Sequence, residues 1–60
     1  MRDWHPNDGT DPPPIGKWLA ICIKRDGRIV RTGGAWVYAI TGAGPDWNET
    51  TFIPTHWRLP

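Results

Sequence analysis

Proline and glycine, seven of each in 60 residues, interrupt this chain every few positions, and that punctuation decides what it can become. Proline cannot donate in a helix interior and glycine is entropically poor there, so a helical protein of this size is excluded. Short strands joined by turns are the expected alternative. Sixty residues allow one small domain, near the lower limit for folding without disulfides, metal or a partner. Five tryptophans work against that limit, because large aromatic side chains bury much apolar area with few rotatable bonds.

Composition excludes several classes. Hydrophobic residues are 38% and charged residues 22%, which is not the make-up of a disordered tail. A formal net charge of +1 gives no field that by itself points to nucleic acid or a membrane. The longest apolar run, Trp18 to Ile23, is too short to span a bilayer. Met1-Arg-Asp-Trp-His-Pro has no apolar signal region, so the expected compartment is the cytoplasm.

Chemistry-bearing residues are scarce. Cys22 is the single cysteine, so no internal disulfide forms, and its apolar surroundings read as those of a small buried hydrophobe. His5 and His56 stand alone, without i, i+4 or C-x-x-C spacing, so no metal is expected. Acids fall in turns: Asp8-Gly9, Asp11-Pro12, Asp26-Gly27 and Pro45-Asp46. No glycine-rich phosphate loop precedes a helix. The chain is therefore read as a non-enzyme with no catalytic residues and no cofactor. For His56 the expected role is a hydrogen bond to backbone that fixes the tail.

The chain divides into four stretches. Residues 1–16, with Asp11-Pro-Pro-Pro14, form an extended proline-rich arm without sheet pairing, laid across the domain and anchored by Trp4. Residues 17–41 form a β-meander. Lys17 to Arg25 is rich in strand formers and ends at Asp26-Gly27, whose positive φ values suit a two-residue type I′ turn. Arg28 to Thr32 returns, Gly33-Gly34 marks a second turn, and Ala35 to Thr41 makes a third strand. Residues 42–50 form a loop with Trp47 at its tip. Residues 51–60 give a short edge strand at Thr51 to Ile53, then a tail whose Trp57 and Leu59 return onto the sheet and close the core. The fold class is all-β: a three- to four-stranded antiparallel meander with arm and tail packed on it.

Two-residue turns fix the register. Ile23 then faces Val30, and Val30 faces Val37. One face carries Leu19, Ile21, Ile23, Val30, Val37 and Ala39, the core side. The other carries Trp18, Cys22, Ile29, Trp36, Tyr38 and Ile40, with Arg31 across from Trp36 as a cation–π pair.

Across most of the chain, and most specifically at Thr55-His56-Trp57 with Leu59-Pro60, this sequence resembles the small phage and prophage proteins catalogued as domain of unknown function 551. The matching elements upstream are Trp4, Pro12 to Gly16, Leu19-Ala-Ile-Cys-Ile23, Asp26-Gly27 and Trp36. Arg58 stands where that family has Met-Pro, one residue shorter. The resemblance implies a phage or prophage origin and a compact β-rich fold, and it implies no catalytic residues.

Two binding readings follow. The first is a small phage-encoded protein that binds and inhibits or modulates a host protein complex; the resemblance extends this to inhibitors of RNA-guided defence. Its contact residues are Lys24, Arg25, Arg28, Arg31, Trp36, Tyr38 and Trp47, since exposed aromatics and arginines dominate interface energetics. The second is a single-stranded nucleic-acid module, with Trp18, Trp36 and Tyr38 stacking bases among Lys24, Arg28 and Arg31. No membrane partner is expected.

Overall fold

The computed structural model describes residues 4–60, so the first three residues of the expected arm lie outside the described residues. Its strands are β1 (His5–Pro6), β2 (Trp18–Arg25), β3 (Arg28–Thr41), β4 (Gly44–Asn48) and β5 (His56–Arg58). They form one antiparallel sheet in the order β1-β5-β2-β3-β4. The fold class is the all-β, antiparallel one that the sequence implies. Its strands are divided differently.

Asp26 and Gly27 make the expected hairpin turn, with φ of 52° and 78° and Arg25 opposite Arg28. Gly33-Gly34 is not a turn. Neither glycine has the positive φ that a primed turn requires, and β3 runs straight through them as a single long strand. Each instead lies beneath an aromatic ring on opposite sides of the sheet. A Cβ on Gly34 would stand 2.1 Å from the Trp18 ring, and one on Gly33 3.2 Å from the Phe52 ring. Here glycine is used for close approach and not for turning.

The second reversal comes at Gly42-Ala43, where Thr41 pairs with Gly44. The expected 42–50 loop therefore contains a strand, and Trp47 lies opposite Val37 and packs against the core. Thr51 to Ile53 is not an edge strand; the segment bends across the sheet and seats Phe52 beside the core.

Two bulges reset the faces. The register slips between Ile23 and Lys24, so Ile23 faces Arg31 and Val30 is left 55% exposed. A second slip between Val37 and Ile40 places Ile40 opposite Pro45, on the side of Val37 and Trp47. Ala39 is exposed, not buried.

The core consists of Leu19, Ile21, Ala35 and Val37, all fully buried, with Trp57 5% exposed. Trp57 closes the core as expected, but from within the sheet: β5 pairs with β2 on one side and β1 on the other. Leu59 takes no part and is 54% exposed.

The arm lies across this same core face. Trp57 Nε1 donates to the Asp11 carbonyl at 3.1 Å, and Gly16 N donates to the Val37 carbonyl at 2.9 Å. His5 stacks on Trp57 with ring centroids 4.4 Å apart and hydrogen-bonds the Asp11 carboxylate through Nδ1. The arm is thus not free of the sheet, since His5 and Pro6 pair with Trp57 and His56. Trp4 ties the arm to β5, lying under the Arg58 guanidinium at 4.4 Å.

Candidate functional site

With arm and Phe52 segment on the core side, the sheet's other face is only partly covered: Cys22 on it is fully buried, while Trp18 and Tyr38 are exposed. Its membership follows from the pairing, because directly opposed residues share a face. Trp18 opposes Trp36, Ala20 opposes Gly34 and Arg58, and Cys22 opposes Thr32 and His56. Tyr38 lies on this face beside Trp36, with ring centroids 6.2 Å apart and planes tilted by 45°.

Small residues shape that surface. Ala20 and Gly34 leave a shallow floor, and the Trp18 ring lies over Gly34 instead of standing upright. Trp18 is still 48% exposed and Tyr38 59%. Three rings thus lie side by side on a sheet face, with Arg58 and Trp4 as a cation–π pair on the β5 flank. Such a pair contributes about 0.5–1 kcal/mol at an exposed position.

The residues expected to bind a partner divide into separate groups. Trp36 and Tyr38 share the open face, and Trp18 belongs with them. Lys24, Arg25 and Arg28 surround the hairpin turn; the Lys24 amide donates to Thr55 Oγ1 at 2.9 Å, while Arg25 and Arg28 are exposed. Arg31 does not face Trp36. Both stand on β3, and Arg31 turns to the core side, with its guanidinium 4.6 Å from the Phe52 ring and Nη2 donating to Thr51 Oγ1 at 3.0 Å. Trp47 is half-buried against the core and is not a loop tip.

The titratable groups are held by structural contacts. Cys22 is fully buried, and burial pushes its thiol above the ordinary value, which favours the neutral form. His56 bonds the Thr55 hydroxyl at 2.9 Å rather than backbone. Desolvation, with Lys24 nearby, holds its imidazole below the usual pKa. Asp8 is acidified by hydrogen bonds from the Thr10 hydroxyl and amide. Among the described residues no three His, Cys, Asp or Glu side chains gather as a metal site. A hollow of about 360 Å³ between the arm and the β3–β4 turn is lined by Asn7, Asp8, Gly44, Trp47 and Ile53 among others. Among the described residues no helix is long and apolar enough to cross a membrane.

No protein-family model, curated protein or solved structure matches this chain.

Proposed function

We propose that this chain is a small binding protein that acts by stoichiometric occupation of a partner protein, with Trp18, Trp36 and Tyr38 at the centre of its contact surface. The observation behind this reading is that exposed Trp18 and Tyr38 flank a half-buried Trp36 on the sheet face opposite the core. Rigid aromatics on a flat scaffold lose little entropy on binding and are the side chains most enriched among interface hot spots. The resemblance of the tail adds a phage origin, in which case the partner is a host protein complex, an RNA-guided defence complex among the candidates, and the setting is the host cytoplasm.

The test is capture of the partner from host lysate by the unaltered chain and by Tyr38→Ala and Trp36→Ala variants. Both variants are expected to retain their β-sheet signature by circular dichroism and to lose capture. Capture that survives both in folded protein removes the face from consideration.

A second reading rests on the same rings, because a sheet face with exposed aromatics also stacks unpaired bases. Near-neutral charge weighs against it, since backbone attraction scales with the cations supplied. Micromolar binding of a random single-stranded oligonucleotide that weakens steeply with salt would replace the protein reading.

A further inference from the structure

We propose that the outer edge of β3 between Ile29 and Gly34 is a strand-addition site for an extended acidic segment of a partner protein. This rests on the reading of the chain as a protein binder but uses a surface distinct from the aromatic face. The first observation is an incomplete ladder. β2 pairs with β3 from Arg28 to Trp36, whereas β4 pairs only from Trp36 onward. Among the described residues no strand pairs with the other side of Arg28 to Ala35.

The direction of the unused backbone groups follows from the opposite side of the sheet. Cys22 gives its carbonyl to Thr55 N at 3.0 Å, on the β5 side of β2. Its antiparallel partner Thr32 therefore turns its amide and carbonyl away from β2. The Lys24 amide is likewise turned to Thr55, so its partner Ile29 also faces outward, and Gly34 does so two residues beyond Thr32. A groove of about 230 Å³ runs beside these groups, lined by Arg31, Thr32, Gly34, Glu49, Thr51 and Phe52 among others. It opens where β4 ends: Glu49 adopts a φ of 65°, which turns the chain out of the ladder after Asn48. The stretch from Ile29 to Gly34 offers roughly 20 Å of edge, enough for a short added strand.

Charge identifies the occupant. Arg25 and Arg28 stand directly opposite each other at the hairpin end, a like-charge pairing that destabilises a ladder unless an anion approaches. Lys24 and Arg31 add to it. Among the described residues no carboxylate lies within salt-bridge distance of these four cations; the acids nearest in sequence or in the groove, Asp26 and Glu49, are outnumbered two to one, so the edge stays basic. A second copy is a poor occupant, because joining two β3 edges would gather both sets of arginines along one seam. An acidic segment relieves the same repulsion. Side chains of the added strand alternate between faces, so those beside Arg31 are acidic and those beside Gly34 and the Trp18 ring are apolar.

The probe is an end-capped octapeptide of alternating glutamate and valine, titrated into the ¹⁵N-labelled chain at low salt. Saturable shifts of the Ile29, Thr32 and Gly34 amides are expected. A lysine–valine octapeptide should bind at least tenfold more weakly. The glutamate–valine peptide N-methylated at alternate residues should not bind, since its ladder donors are gone. Thr32→Pro removes an outward amide without touching the β2 ladder and should abolish binding. Should that variant not fold, the N-methylated peptide puts the same question to the unaltered chain. Equal binding of the N-methylated peptide, or no shift at these amides at millimolar peptide, overturns the proposal. Shifts that track protein concentration alone overturn it in favour of self-pairing. Tyr38→Ala separates this from the preceding reading, because it should lose partner capture yet still bind the octapeptide. An unaltered chain that fails the peptide test but captures its partner through the aromatic face refutes the edge alone.

Discussion

Gly34→Ala adds one methyl group at the point where the Trp18 ring meets the backbone. Trp18 is 48% exposed, so about half of its surface is covered. Taking about 250 Å² for a full tryptophan and about 25 cal/mol per Å², that coverage is worth roughly 3 kcal/mol. An added Cβ would lie 2.1, 2.7 and 3.0 Å from three ring atoms. To reach ordinary contact at 3.4 Å the closest atom must retreat by 3.4 − 2.1 = 1.3 Å, which forfeits most of the dispersion on that side. Alanine returns about 0.5–1 kcal/mol by restricting the unfolded chain. The net expectation is a loss of about 1–2 kcal/mol, or a fall in Tm of about 5–15 °C for a domain of this size. The decisive measurement repeats the substitution in a Trp18→Ala background, followed by far-ultraviolet circular dichroism in urea so that no tryptophan serves as the reporter. With the ring gone, the same methyl should stabilise by about 0.5 kcal/mol, and the cycle should give a coupling near 2 kcal/mol. A neutral or stabilising effect of Gly34→Ala in the parent chain would refute the seating of Trp18 on this glycine.

Gly27→Val places a β-branched residue at a φ of 78° and should destabilise the fold by about 1 kcal/mol or more, read as a lowered urea midpoint. Removal of residues 55–60 deletes β5, which lies between β1 and β2, and cooperative unfolding should disappear from the melting curve. Because the folded His56 pKa lies below its ordinary value of 6.5, the stability it contributes is complete above that value. It is lost as pH falls through the folded value, so His56→Gln should flatten the decline in urea midpoint measured downward from pH 7.

What could be read directly from the residues was whatever a single local signal determines. Asp26-Gly27 has one good use between two strand formers, and it is a turn. Trp57 and the run Leu19 to Ile21 are apolar enough that burial was the sole economical outcome. Gly33-Gly34 is ambiguous because the same dipeptide serves two physical needs, positive φ or the absence of a Cβ, and only the rings of Trp18 and Phe52 reveal which applies. With no turn there, Arg31 and Trp36 lie on one strand and cannot face each other. The bulge at Val30 has no mark in the sequence, since any exposed residue tolerates it. Glycine freedom and Pro45-Asp46 read as a loop with Trp47 at its tip, whereas Gly44 at a φ of 105° simply opens a strand. The aromatic face was legible in part: Trp18, Trp36 and Tyr38 were grouped correctly, and Ile40 was displaced by a second bulge.

The pairing of His5 with Trp57 joins positions 57 − 5 = 52 residues apart, whereas the β2–β3 turn joins Arg25 and Arg28, 28 − 25 = 3 apart. Loop-closure entropy grows as about 1.5RT ln n, so joining the ends is roughly 2 kcal/mol less favourable than closing a hairpin. Assembly is thereby ordered in time. The β2–β3–β4 meander can form from local contacts, but β1 has nothing to pair with until β5 has arrived beside β2. During synthesis the arm must therefore wait for residues 56–58 to emerge, and through that interval Ile21 and Val37 lack their Trp57 cover. Strand β5, once seated between β1 and β2, acts as the latch that commits the whole sheet.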